Sequence, residues 1–193
     1  MIKRFYLSLF FARRWYWLLV GIIGLFVFAY GFPFLLTIAE LFLLFLAVVT
    51  LLDYVVLFTR RQPVAIIRRL PDRMSNGDPN PVHLDVTNQF PFPVSLRIID
   101  ELPDQLQERH FRLDMALKPG ESRTLDYVVH PKERGEYIFH NINVFIKSPF
   151  GLLIRRKILP AETMVRVLPS FLTLRQYELL AASDNLADRK SVV

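Results

Sequence analysis

Apolar positions along this chain follow two different rules. From Trp15 to Phe32 there are 18 consecutive uncharged residues, and after the Gly31-Phe32-Pro33 break the run resumes from Phe34 to Phe58, rich in Leu, Val and Phe. As a helix the first stretch would reach about 27 Å, against a hydrocarbon core of about 30 Å, and the second is long enough to cross with some tilt. Two spans joined by almost no loop must run antiparallel. The pattern therefore predicts a transmembrane hairpin with helices over 15–32 and 34–58. A cleaved signal peptide is the competing reading of the first stretch, but its apolar centre is longer than such peptides carry, and a second span follows at once.

Past Arg61 the period falls to two. Phe111, Leu113, Met115 and Leu117 alternate with Arg112, Asp114, Ala116 and Lys118, as a half-buried strand requires. Val82, Leu84 and Val86, then Val94, Leu96 and Ile98, then Leu125, Tyr127 and Val129 repeat the pattern between Pro, Gly, Asn or Asp. In Gly135 to Lys147 the apolar side chains change parity after Phe139, which predicts a bulge or corner near His140 and Asn141. With Val64–Leu70 and Met164–Leu168 added, seven or eight short strands predict an all-β antiparallel sandwich, immunoglobulin-like, over 62–169. Ser148-Pro149-Phe150-Gly151 predicts a turn between two strands. Leu174, Tyr177, Leu180 and Ala181 predict a short helix over 171–182, within a linker at 170–193.

Charge separates the same two regions. Residues 15–59 carry no Lys or Arg and only two acids, Glu40 and Asp53, although the whole chain has 24 basic and 18 acidic residues and a net charge of +6. Lys3, Arg4, Arg13 and Arg14 precede the first span, Arg60, Arg61, Arg68 and Arg69 follow the second, and the connection is uncharged. The excess of cations at both ends places residues 1–14 and the sandwich in the cytoplasm. Trp15, Tyr16 and Trp17 read as headgroup-level anchors on that side and Tyr30 on the other. Glu40 is the sharp polar feature inside the bilayer, where an acid is costly, so it marks a proton path, a helix partner or a protonated side chain. Asp53 reads as an interfacial residue.

Candidate chemistry is sparse. Cysteine is absent, which excludes a disulfide scaffold and thiolate zinc sites. His83, His110, His130 and His140 lie on separate strands without ligand spacing, so no metal or cofactor is expected. Asp100, Glu101 and Asp104 are dense enough for acid–base work but read better as a capped strand-end loop. No phosphate loop, dinucleotide fingerprint, nucleophile elbow or zinc-protease helix is present, and an enzyme is not expected. The basic clusters at Arg60–Arg61, Arg68–Arg69 and Arg155–Arg156–Lys157 lack interleaved aromatics for nucleic acid and read as attracted to anionic inner-leaflet lipid.

The order of parts carries a resemblance: a two-helix hairpin, RRLPDRMSNGDPNPVHLDVTN, IIDELPDQL, then LKPGESRTLDYVVHPKERGEYIFHNINVFIKSPFGLL and MVRVLPS. It resembles the N-terminal half of the bacterial domain of unknown function 58 family, membrane proteins with a β-sandwich ahead of a von Willebrand A-like domain. Its most specific pieces are Arg134-Gly135-Glu136-Tyr137 and Ser148-Pro149-Phe150-Gly151-Leu152. The family's Gly-Asp-Arg segment and its D-x-S-x-S metal motif do not occur here, so the resemblance implies a chain lacking the C-terminal domain, and no metal residue is carried over. It also implies a bacterial inner-membrane adaptor that works with a MoxR-type AAA ATPase and von Willebrand A-type proteins in protein assembly or maturation. In the shared motifs Arg134 would pair with an acid on a neighbouring strand, Gly135 would permit a tight strand entry, and Tyr137 would fill the core. Pro149, Phe150 and Gly151 would make a turn with an apolar plug. The competing function is an envelope adhesion or sensor module with its sandwich outside the cytoplasm.

Overall fold

The computed structural model describes residues 8–108 and 111–170. The helix expected over 171–182 and the linker lie outside the described residues, as does His110. The chain opens with β1 (Leu9–Phe11) and continues into helices α1 (Arg13–Ala29) and α2 (Phe34–Phe58). The connection is as tight as its sequence suggested. Leu35 and Leu36 donate back to Phe32 and Pro33 at 2.9 and 3.1 Å, and Pro33, which has no N–H to give, sits where a helix start needs none. Helix α2 has the bounds the apolar run predicted. It alone among the described helices is long and apolar enough to cross a membrane, by length and composition. Helix α1 begins two residues earlier and ends three residues sooner than expected.

Ten further strands follow: β2 (Val64–Arg69), β3 (Arg73–Ser75), β4 (Asn80–Asn88), β5 (Val94–Asp100), β6 (Leu113–Leu117), β7 (Ser122–Val129), β8 (Gly135–Phe139), β9 (Ile142–Lys147), β10 (Leu153–Leu159) and β11 (Thr163–Leu168). They form a five-stranded sheet in the order β1-β10-β9-β5-β6 and two three-stranded sheets, β2-β4-β7 and β3-β11-β8. All pairs are antiparallel except β11 with β3. Alternation puts Val82, Leu84 and Val86 of β4 opposite Leu96 and Ile98 of β5 and Ile142, Val144 and Ile146 of β9, all at 2% exposure or less. The result is an antiparallel β-sandwich over one core. The parity change near His140 is a corner where the chain leaves β8 in one sheet and enters β9 in another.

Three strands, β1, β3 and β10, go beyond the runs read from the sequence. Leu9–Phe11 was read as part of a basic tail, yet it pairs with β10, Leu9 opposite Arg155 and Phe11 opposite Leu153. This pairing is what ties the start of α1 to the sandwich, while α2 leads directly into β2. The apolar cluster is accordingly continuous, running from the sandwich through Leu57 and Leu46 of α2 to Trp15, Leu19 and Ile22 of α1.

Candidate functional site

The sequence places a carboxyl, Asp53, near the end of a helix whose one other charged residue is Glu40, and the fold buries it completely. Its partners come from the turn between β9 and β10. The Ser148 hydroxyl donates to Asp53 Oδ2, Leu152 N–H donates to the same oxygen at 3.2 Å, and Phe150 N–H donates to Oδ1 at 3.3 Å. Ser148 Oγ in turn accepts from Leu153 N–H at 3.0 Å, and Gly151 N–H closes the turn onto the Ser148 carbonyl at 3.0 Å. A tight turn exposes several N–H groups along one side, and once buried each needs an acceptor. Asp53 supplies it. Gly151 holds φ at +72°, a left-handed conformation that suits glycine.

A second set of contacts closes the end of the same helix. The last carbonyls of a helix lack internal partners. Arg155 Nη1 donates to the carbonyls of Leu57 and Arg60 at 2.9 Å each, its guanidinium lies 4.6 Å from the centre of the Phe58 ring, and Lys157 Nζ donates to the Arg61 carbonyl at 3.1 Å. Cations at a helix C-terminus also complement its dipole. Burial lowers the pKa of Arg155; burial and then the charge of Arg155 lower that of Lys157. On the other side of the hairpin, Trp15 Nε1 donates to Thr50 Oγ1 at 3.2 Å, and Ala12 N–H donates to the Leu152 carbonyl at 2.8 Å. The start of α1, the end of α2 and the β9–β10 turn thus lock together.

The residues singled out from the sequence fall into two groups. Pro149, Phe150 and Gly151 belong to this junction, but Phe150 is no plug: its ring is 55% exposed, and Leu152 and Leu153 are buried in its place. The backbone of Phe150 carries the contact, not its side chain. Tyr137, by contrast, is buried at 1% and donates its hydroxyl to the Glu133 carbonyl at 3.0 Å, the backbone-bonded tyrosine found at strand corners of sandwiches. Gly135 enters β8 at φ +142°. Arg134 is exposed and forms no ion pair among the described residues; the cross-strand pair at this motif joins Glu136 to Arg166 at 3.4 Å. Glu40 lies exposed on α2, with Ala39 beside it buried.

Asp53 is thus buried instead of interfacial, and two of the three basic clusters, Arg68–Arg69 and Arg155–Arg156–Lys157, bond within the protein. Arg68 is not at a lipid surface: its side chain is 2% exposed, it bonds Asp100 Oδ1 at 2.5 Å, and it also donates to the carbonyls of Phe139, His140 and Ala161. Tyr127 donates to the other Asp100 oxygen at 2.6 Å. Burial raises Asp100 above the ordinary carboxylate value despite the opposing pull of Arg68, and burial followed by the Asp100 charge raises Tyr127. Arg69 pairs with Asp85 at 2.7 Å, and Arg156 donates to Asn143 Oδ1 at 2.7 and 3.1 Å. The acids expected as a loop cluster diverge. Asp100 faces the core, while Glu101 accepts from Asn143 at 2.5 Å and Asn141 N–H at 3.2 Å, and Asp104 starts a short 3-10 turn. An open cleft of about 700 Å³ does border them, which the sequence did not indicate. His83 pairs with Asp126 at 2.6 Å on the surface. Among the described residues no group of three His, Cys, Asp or Glu could hold a metal ion.

No family model matches the sequence, and no curated protein does either. Among solved structures the chain is similar to the CARDB domain of a Pyrococcus furiosus protein, at 17% identity and a TM-score of 0.39 over 54% of this chain and 87% of that one. It is also similar to a PapD-like domain of human CEP192, at 13% identity and a TM-score of 0.41 over 56% and 87%. A third is Escherichia coli alpha-2-macroglobulin, at 23% identity and a TM-score of 0.42, where the match covers 55% of this chain but 7% of that much longer one. None of them bears on the junction.

Proposed function

We propose that the chain is a membrane-anchored, non-enzymatic adaptor whose hairpin of α1 and α2 crosses the bilayer and presents the sandwich, in a fixed orientation, on the cytoplasmic side. The observation that carries this reading is the buried Asp53 carboxyl, bonded by three donors from the β9–β10 turn. A simple tether needs only a linker. A buried polar lock between an apolar helix and a soluble domain is useful when the domain's orientation matters.

Several features support the crossing. Only 17% of the most apolar window of α2 is buried, so the helix is not the core of a soluble fold. Large apolar side chains stand exposed around the hairpin, among them Val27, Phe28, Leu41, Leu44 and Phe45. A helix apolar on all sides belongs in lipid. The portion above Asp53, from Phe34 to Leu52, would reach about 28 Å, matching a hydrocarbon core. Arg13, Arg14, Arg60 and Arg61 gather at the sandwich end, which favours the cytoplasm. The resemblance to the domain of unknown function 58 family adds the partner class: a MoxR-type AAA ATPase with von Willebrand A-type proteins, in the bacterial inner membrane.

The test combines an alkaline carbonate wash of membranes with impermeant labelling of Lys118 and Lys132 in intact cells, and capture of the tagged chain after crosslinking. The chain should stay in the pellet, its lysines should react only after lysis, and an AAA ATPase should be captured. Release by carbonate would end the anchor reading. Labelling in intact cells would transfer the sandwich to the outside, as the envelope module requires.

A further inference from the structure

The outer face of the five-stranded sheet meets the start of α1 in an open cleft of about 970 Å³. Strand alternation explains its chemistry. Positions 95, 97 and 99 of β5, 145 and 147 of β9 and 154 of β10 point away from the core, and Arg13, Arg14 and Trp17 overhang them from α1. Arg13, Arg14, Arg97, Arg112 and Lys147 all contribute to the lining, against one acid, Asp114, which is taken up by Arg97 at 2.7 Å. Among the described residues the other four cations have no acidic partner.

Two of these cations converge. A side chain placed on Gly151 would begin 3.6 Å from Arg14 Nη1, 3.8 Å from Lys147 Nζ and 3.1 Å from Lys147 Cε. Both positive groups therefore share the space over one glycine, where like charges repel unless an anion lies between them. The surroundings favour an anion with an apolar tail. Trp17 is 64% exposed at the mouth, and beyond it Gly21 and Gly24 follow at helical spacing with no atom within 4 Å of where their side chains would begin. The Trp15–Thr50 bond sets this mouth level with the last turns of α2 above Asp53, where headgroups would lie.

We propose that the cleft seats the phosphate headgroup of an anionic lipid, held between Arg14 and Lys147, with an acyl chain rising past Trp17 along the glycine face of α1. This rests on the membrane reading above and adds a specific lipid site to it. Such a site would fix the depth of the junction, because the same β9–β10 turn carries Gly151 and the donors to Asp53.

The test uses the full chain in nanodiscs of phosphatidylcholine with a minority of phosphatidylglycerol, and counts the phosphatidylglycerol retained per chain by native mass spectrometry. The pair Arg14→Gln with Lys147→Gln should lose about a hundredfold in retention, since each removes a charge-assisted contact to the phosphate worth a factor of about ten. The pair Arg60→Gln with Arg61→Gln, which removes the same charge at exposed positions outside the cleft, should retain the lipid. Lys147→Gln alone, expected to lose about tenfold, serves if the double variant does not fold. Equal losses in the two pairs would overturn the site in favour of diffuse charge. Displacement of the lipid by glycerol 3-phosphate at similar concentration would overturn the lipid in favour of a soluble anion. A chain that fails to enter the nanodisc at all would overturn the membrane reading, and the site with it.

Discussion

Helix α2 is two helices in energetic terms. From Phe34 to Leu52 most of its large apolar side chains are exposed, with only Ala39 and Leu46 buried, whereas from Asp53 to Phe58 the helix carries two fully buried residues, Leu57 and Asp53 with its bonded carboxyl. Among the described residues the upper part offers no hydrogen-bond donor to its one acid, Glu40, which stands exposed. The lower part carries one too, but there the β9–β10 turn offers three donors. One side-chain chemistry thus has opposite consequences along a single helix. What decides is whether donors reach it, since burying a carboxyl without partners is costly and burying it with them fixes a geometry.

Breaking the polar interior of the sandwich is expected to have the largest effect. Replacing Arg68 by Met leaves Asp100 buried without its cation, and Asp100→Asn leaves Arg68 likewise; removing one partner of a buried pair costs about 3 to 5 kcal/mol. The thermal midpoint of the sandwich in detergent should fall sharply, while carbonate resistance of the hairpin stays. The same site has a pH signature. Because Asp100 titrates above its ordinary value of 3.8, the stability it contributes is full below that value and is lost as pH rises through the raised one. The gap in midpoint between wild type and Asp100→Asn should therefore be widest at the acid end, and a gap that grew with pH would contradict burial as the dominant cause.

Asp53→Ala comes next. It strands the Ser148 hydroxyl and two backbone N–H groups, at about 1 to 3 kcal/mol. Its mark should be local, in faster amide exchange at Phe150 and Leu152 with β4 and β5 unchanged. Arg155→Met is smaller, about 1 kcal/mol, because water can replace the cation at the exposed Arg60 carbonyl; it should fray the end of α2 and leave the turn intact. Glu40→Gln is smallest. It should move neither the midpoint nor the exchange pattern, and any effect should be confined to co-purification with a helical membrane partner.

The contrast also explains what could be read from the sequence. A continuous apolar run and a strict alternation are both simple patterns, so the bounds of α2 and the alternation of β4, β5 and β6 were legible. Strand β10, LIRRKIL, was not, because Arg155 and Lys157 stand where alternation expects apolar residues. At that end the strand meets helix carbonyls instead of the core. Strand β1 was hidden because its three residues, LFF, are too few to show an alternation and lie between the basic pairs Lys3-Arg4 and Arg13-Arg14. Asp53 and Ser148 are 95 residues apart, and neither position betrays the other. The available hint was an acid on the same helical stripe as Ala39, Leu46 and Leu57, where an interfacial side chain would not be expected to point inward. Phe150 was misjudged for a related reason: in a turn locked by its backbone, the side chain is released to the surface.

The rigid union of hairpin and sandwich is tested most directly by a distance across it. The chain has no cysteine, so Phe34→Cys at the hairpin tip and Met164→Cys on β11 can be spin-labelled uniquely and measured by pulsed electron resonance in nanodiscs. A single narrow distance distribution that broadens on Asp53→Ala is the expected result. A broad distribution in the otherwise unaltered chain would mean that the sandwich swings freely on its anchor, and the union would be refuted.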